Sequence, residues 1–286
     1  MLDDITARVQ ADFARARSKS FLNDIFGFLS GRPKRLLSYD QVKEKLHVGG
    51  PIYRGVRTVE VARIVGSVNR YADFDHAFLP THNRLASRWQ NVDRAFYEEI
   101  SLPPVVLYKV GEVYFVVDGH HRVSVARQQG QEFIDAEVRE CQVKVPVGPD
   151  IRPEELEILG ARVEFLDRTG LDRLRPEAEI NLTIPDGYNR MLEHIAVHRY
   201  FMGLDEKRDI SADEAVVHWY DTVYLPVVKV IRERDILREF PGRTEGDLYI
   251  WVLDHQEFLH DQGQELAPPE RAAEQYVERL DRSFEL

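Results

Sequence analysis

The sequence predicts an α+β fold, in which a mixed sheet-and-helix domain lies between an N-terminal helical arm and a mostly α-helical C-terminal domain. Apolar residues recur at helical spacing near the N-terminus, and helical spacing returns after residue 188. Between them, short β-branched and aromatic runs are separated by Gly and Pro. We therefore expect an arm over 1–50, a sheet-containing domain over 51–147 and a helical domain over 148–286.

The arm is predicted to contain one helix over 3–29, which Gly31 and Pro33 would end, and a second short helix that begins at Lys34. Amphipathic segments at both ends of the chain leave a homodimer open.

The central domain alternates strands with helices. We expect a strand over 57–65, a polar loop over 66–80 and a helix over 83–100. A hairpin of VVLYKV and VYFVV should follow, then the turn Asp118-Gly119-His120-His121-Arg122, a helix over 121–129 and the strand FIDAEVRE.

The C-terminal domain is predicted to be mainly helical. A helix over 153–159 and a strand over 162–166 are followed by helices over 188–202, from Ser211, after Pro226 and over 245–262, and by an amphipathic tail. Ser211 and Thr244 each precede acidic residues, the pattern of a helix N-cap.

Charge and composition limit the classes of function. Residues 1–149 carry a net charge of +3 and residues 150–286 carry −14, so the second half would repel a polyanion and nucleic-acid binding has little support.

No apolar run is long enough to cross a membrane, and the first residues lack the apolar core of a signal peptide. The single cysteine, Cys141, excludes an internal disulfide. These features predict a cytoplasmic protein without membrane attachment.

The turn from Asp118 to Arg122 is the strongest candidate site. It joins a strand to the start of a helix, where free backbone N–H groups and the helix dipole favour an anion. Gly119 allows a ligand to approach the backbone, Arg122 offers a forked cationic donor, and His120 and His121 offer imidazole nitrogens. Two structural alternatives remain open: Asp118 caps the helix, or Arg122 forms an ion pair with Asp118 or Glu132.

The polar loop before the helix supplies further candidates. Asp73 and Asp75 could act as a general base, and Arg70 could reach a phosphate. The other interpretation is a solvated loop. Arg84 and Arg88 lie four residues apart, and we assign Arg84 to the phosphate site and Arg88 to the surface. No spacing of metal-ligating residues predicts a dedicated metal site.

Residues 57–140 resemble the ParB/sulfiredoxin superfamily domain, because strand, loop, helix, Pro-Pro, hairpin, glycine–basic turn, short helix and strand occur in that family's order. In ParB-type proteins the equivalent turn holds nucleotide phosphates. In sulfiredoxin it carries a catalytic cysteine, which is His120 here, so the resemblance does not imply sulfiredoxin chemistry. The sequence D-G-H-H-R is most similar to the corresponding motif of the branch that includes free-serine kinases. In that branch an acidic residue of the loop acts as base. The C-terminal part resembles a bacterial helical domain with no assigned activity.

The resemblance implies ADP or ATP as ligand, with CTP open, and Mg²⁺ carried by the nucleotide. Our leading hypothesis is a nucleotide-dependent phosphotransferase or phosphohydrolase acting on an unknown small-molecule acceptor. In it Asp73 or Asp75 is the base, and His121 takes part in catalysis. The alternatives are a nucleotide-gated, partition-type DNA-binding regulator and a ParB-like nuclease.

Overall fold

The computed structural model describes residues 2–30, 35–149, 151–263, 265 and 267–284. These residues form two compact units, divided between Leu156 and Glu157. The predicted α+β fold is confirmed. The finer division at residues 50 and 147 stays a prediction.

The first unit is built on a mixed sheet. Its elements are α1 (Leu2–Ser30), β1 (Leu37–Ser38), α2 (Tyr39–Lys45), β2 (Pro51–Glu60), β3 (Ile64–Ser67), α3 (Ala86–Tyr97), β4 (Val105–Val110), β5 (Val113–Asp118), α4 (His120–Gln128) and β6 (Phe133–Cys141). Within the described residues the strand order is β1-β3-β5-β4-β6-β2. β4 and β5 form the predicted antiparallel hairpin, and β3 pairs with β5 in parallel. The ends of β3 and β5 therefore lie side by side.

Two predictions about this unit need correction. The strand expected over 57–65 is two strands, because a 3₁₀ turn over Val61–Arg63 separates β2 from β3. The helix expected near Lys34 begins only at Tyr39. Gly31, Pro33 and Lys34 lie outside the described residues, so the predicted end of α1 is not described.

The core of the first unit holds the site elements in place. Buried aliphatic residues from the strands, among them Leu107 and Val116, pack with Phe74 and Phe78 of the loop between β3 and α3. On the helical side, α1 packs against α3 through Phe13 and Trp89. The indole of Trp89 donates to Ser124 Oγ of α4 at 2.8 Å, so α1, α3 and α4 form one packed layer.

The second unit is helical. Its elements are the greater part of α5 (Pro153–Thr169), then α6 (Leu171–Leu174), α7 (Asp186–Glu206), α8 (Ala212–Trp219), α9 (Leu225–Glu233), α10 (Glu245–Asp261) and α11 (Pro269–Phe284). A π-helical turn over Tyr220–Tyr224 joins α8 to α9. The buried Trp219 packs on Tyr249 and donates to its hydroxyl at 2.9 Å, which ties α8 to α10.

The strand predicted over 162–166 is wrong, because these residues lie inside α5. The helix predicted after Pro226 is α9, which begins at Leu225 and ends at Glu233. Both predicted N-caps are confirmed: Ser211 accepts from the backbone of Glu214, and Thr244 forms a full capping box with Asp247. No helix in the described ranges has the length and apolar character that a membrane crossing needs.

Candidate functional site

The start of α4 is a sharp turn without a side-chain cap. β5 ends at Asp118, and Gly119 turns the chain with φ 98° before α4 begins at His120. The backbone N–H groups of His120, His121 and Arg122 belong to the first helical turn, where no preceding carbonyl can accept them within the helix. Asp118 does not cap the helix, so the first structural alternative is excluded.

Gly119 is required at this turn for two reasons. Its positive φ is a conformation that residues with a Cβ rarely adopt. A Cβ there would also lie 2.5 Å from Cγ1 of Val105 and 3.0 Å from Nη2 of Arg122. The turn is therefore packed tightly between β4 and the Arg122 side chain.

Arg122 is held by the protein itself. Its Nη2 donates to Asp118 Oδ2 at 2.6 Å, and its Nη1 donates to the carbonyls of Pro103 and Pro104. The predicted ion-pair alternative with Asp118 is thus present. Arg122 links the Pro-Pro segment to the DGHHR turn, and its charge remains beside the start of α4.

His120 is fixed by Ser67, the last residue of β3. The Ser67 hydroxyl accepts from the backbone N–H groups of Asn69 (3.3 Å) and Arg70 (2.8 Å). Its own proton is therefore available to His120 Nε2, which lies 2.8 Å away, so the neutral ring carries its proton on Nδ1. Burial, with the nearby charge of Arg70, lowers the pKa of His120 to about 4. The imidazole is uncharged at neutral pH.

His121 is also buried and neutral. Burial, and then the charges of Arg88 and Arg70, lower its pKa to about 4. Its ring meets the edge of Phe74 at a centroid distance of 5.4 Å. Its Nδ1 is buried and has no hydrogen-bond partner within the described part of the chain. An unpartnered polar atom in such a place is unusual in a folded protein.

A cavity of about 340 Å³ opens at the start of α4. Its volume falls within the range of small-ligand sites. Asn69 and Arg70 come from the loop after β3, and Arg88 comes from α3. The remaining wall is formed by Val92, Leu102, Pro103, Val117, Asp118, Gly119, His120, His121 and Arg122.

Arg70 and Arg88 give this cavity its positive charge. Arg88 is exposed and forms no ion pair or hydrogen bond with any of the residues that the structure describes. Arg70 lies 3.9 Å from Asp73, at the limit of an ion pair. Both guanidinium groups act on the pKa of His121, which places them near the first turn of α4.

Arg84 and Asp73 form an ion pair beside the cavity. Arg84 Nη2 lies 2.6 Å from Asp73 Oδ1, and neither residue lines the cavity wall. The assignment of Arg84 to the phosphate site therefore has no contact to support it, whereas Arg88, assigned to the surface, lies in the wall. Asp73 lies 3.9 Å from Arg70, and its negative charge opposes the lowering of the pKa values of His120 and His121.

Asp75 has a structural position. It is fully buried, and its carboxylate accepts from the backbone N–H groups of Ala77 (2.9 Å) and Leu79 (2.8 Å). Asn23 of α1 donates to its other oxygen at 3.0 Å. Because all these bonds hold the loop together, Asp75 is not placed to act as a base in the cavity.

Sequence reasoning missed Ser67 and undervalued Arg88. Ser67 had no signal of its own, because a lone serine at the end of a strand is common. Arg84 and Arg88 are four residues apart, so the sequence places them on one face of a helix. Which of the two lines the cavity depends on how that helix is oriented relative to the cavity, and the spacing alone does not give this orientation.

In the described ranges no group of three or more His, Cys, Asp or Glu side chains is arranged so that it could hold a metal ion. A divalent ion at this site would need oxygen ligands from elsewhere, such as the phosphates of a nucleotide.

Comparison with known proteins found similar solved structures. A Pnob8-like ParB-N domain shares 12% identity over 68% of this chain and 87% of its own length, with a TM-score of 0.22. The C-terminally truncated chromosome-partitioning protein ParB from Caulobacter crescentus, complexed with CTP-γ-S, shares 13% identity over 78% of this chain and 99% of its own, with a TM-score of 0.24. No protein-family model and no curated protein matches the chain.

Proposed function

We propose that the first unit binds the phosphate groups of a nucleotide in the cavity at the start of α4. The observation that carries the proposal is that Arg70, Arg88 and the first helical turn of α4 line one cavity, since the N–H groups of such a turn have no acceptor within the helix. Each of these elements attracts an anion, and together they match the several oxygens of a phosphate chain.

The two histidines fit this role as neutral donors. A ring with a pKa of about 4 is uncharged at neutral pH, so it neither repels the arginines nor needs a counterion. Nδ1–H of His120 and one nitrogen of His121 can each donate to an oxygen. A bound phosphate would raise both pKa values, because negative charge favours the imidazolium form.

ADP, ATP and CTP are the candidate ligands, with Mg²⁺ bound through their phosphates. The family resemblance of the DGHHR turn supports a nucleotide over free phosphate. Asp118 lies at the same turn and its side chain is 64% exposed. Its carboxylate would repel an anion unless Arg122 or a divalent ion compensated its charge.

Phosphoryl transfer to a small-molecule acceptor is the second step of the proposal. The acceptor's proton would need a base, and of the two loop aspartates that the sequence offers for this role, Asp73 remains because Asp75 holds the loop. Asp73 would have to leave Arg84, which it contacts at 2.6 Å. Asp73→Asn should therefore abolish turnover and leave nucleotide affinity within about threefold. Slow or absent turnover in the wild type, with nucleotide binding intact, would favour the nucleotide-gated module instead.

The binding step is tested with two arginine variants that differ by one helical turn. Arg88→Gln removes a charge from the cavity wall, and Arg84→Gln removes the same charge from beside it. A charged hydrogen bond contributes about 1.5–3 kcal/mol, so Arg88→Gln should weaken nucleotide and pyrophosphate binding by about tenfold or more. Arg84→Gln should change the affinity for nucleotide and pyrophosphate by less than about threefold.

Titration calorimetry with ADP, ATP, CTP, pyrophosphate and phosphate, each with and without Mg²⁺, gives the required affinities. Equal losses in the two variants would indicate general electrostatic attraction and not a site. No binding by the folded wild-type protein would refute the proposal.

A further inference from the structure

Four exposed apolar side chains meet in a second cavity, next to the first. Phe96, Ile100, Leu102 and Phe133 expose between 38% and 54% of their surface, and all four line a cavity of about 300 Å³. They come from α3, from the segment after it, and from the start of β6. Single exposed apolar residues are ordinary, but a group gathered around one concave surface is typical of a binding site.

The second cavity shares a wall with the phosphate cavity. Val92, Leu102, Pro103 and Arg122 line both. The two cavities are therefore adjacent, and a group attached to a phosphate at the start of α4 lies next to the cavity that Phe96 and Phe133 line.

The rim of the second cavity is polar. Thr58 of β2 donates to Asp135 Oδ1 at 3.0 Å, and Gln131 lies beside them in the wall. Asp135 Oδ2 has no hydrogen bond to any residue in the part of the chain that the structure describes. A carboxylate that accepts only is suited to an amino group on a flat ring.

We infer that this second cavity holds a nucleobase that carries an exocyclic amino group, stacked on Phe133 beside Phe96, with its amino group donating to Asp135. The inference rests on the proposed phosphate site, because the two cavities are adjacent and Arg122 lies in the wall of both. It assigns Asp135, Phe96 and Phe133 to specificity for the base and leaves the phosphate contacts to the first cavity.

The test compares pyrophosphate with nucleoside diphosphates in the full chain. Phe133→Ala should lower the affinity for ADP and CDP by about tenfold, the usual contribution of one stacked base. The affinity for pyrophosphate should stay within twofold. Phe258→Ala is the matched control, because it removes a similarly exposed phenylalanine (53%) from α10 of the second unit. It should change the affinity neither for pyrophosphate nor for the nucleoside diphosphates.

The proposed hydrogen bond from the amino group of the base to Asp135 is tested with UDP as ligand and with the variant Asp135→Ala. UDP has a carbonyl where CDP has the amine, so the wild type should bind CDP about tenfold more tightly than UDP, and Asp135→Ala should remove the difference.

Equal affinity of the wild type for CDP and UDP, or equal losses of ADP and pyrophosphate in Phe133→Ala, would overturn the inference while pyrophosphate binding upheld the phosphate site. Failure of the wild type to bind pyrophosphate or any nucleotide would overturn both.

Discussion

Asp93 of α3 should make the stability of the first unit depend on pH. Its carboxylate is fully buried, one oxygen accepts from Gln129 at 2.7 Å, and the other has no partner among the described residues. Burial is the main cause that raises its pKa from 3.8 to about 6, with Asp12 adding repulsion. Since the folded pKa lies above the unfolded one, protonation stabilises the fold.

The magnitude follows from the size of this shift. About two pKa units correspond to about 3 kcal/mol, so above pH 7 the ionised carboxylate destabilises the unit by about that amount. This cost declines as the pH falls from about 6 towards 4. Asp93→Asn removes the charge and keeps an oxygen for Gln129, so it should raise the free energy of unfolding by about 2–3 kcal/mol at pH 8. At pH 4 the gain should be under about 1 kcal/mol.

Urea unfolding of the intact chain between pH 4 and 8 measures this difference. Glu98→Gln is the control, because Glu98 is exposed at the end of the same helix, and it should change stability by less than about 0.5 kcal/mol at every pH. A gain from Asp93→Asn that is the same at pH 4 and pH 8 would refute the reasoning.

Three further predictions concern the candidate site. Gly119→Ala should destabilise the first unit by about 2–5 kcal/mol, because it adds left-handed strain to a clash with Val105; a loss below about 1 kcal/mol in urea unfolding would contradict the packing described. His120 should carry its proton on Nδ1 and stay neutral down to about pH 5, as long-range ¹H–¹⁵N spectra can show. Ser67→Ala should cost about 1–3 kcal/mol by leaving Nε2 unpaired, and an Nε2–H tautomer in the wild type would contradict the assignment.

Features encoded by local sequence were predictable. The start of α4 follows from a strand that ends in Asp118-Gly119, and the start of α10 follows from Thr244. Both depend on interactions within four residues, which the sequence displays directly.

Features decided by distant contacts were not predictable. The run that contains Arg162 and Leu166 has β-branched and aromatic residues, yet it is helical because it belongs to a longer amphipathic helix. The run RTVEVARIV has no Gly or Pro to mark the turn that divides it. Asp75 reads as a solvated or catalytic acid, and one of its three hydrogen-bond donors, Asn23, lies 52 residues away.

The sequence pointed to the DGHHR turn, which lines a cavity, but it did not identify the other residues of that cavity. Four features within five residues pointed to the DGHHR turn, and the structure places a cavity there. Which arginine side chains line that cavity depends on how α3 is rotated about its axis and on the turn that Ser67 forms. The local sequence determines neither of these.

The most direct test of the central claim is to titrate ¹⁵N-labelled protein with pyrophosphate and follow the backbone amides. An anion at the start of α4 should accept from the N–H groups of the first turn, so the amides of His120, His121 and Arg122 should shift first and most, with saturable dependence on ligand. Those shifts should weaken in Arg88→Gln and persist in Arg84→Gln. Shifts confined to other parts of the chain, or none up to millimolar pyrophosphate, would contradict a phosphate site at this turn.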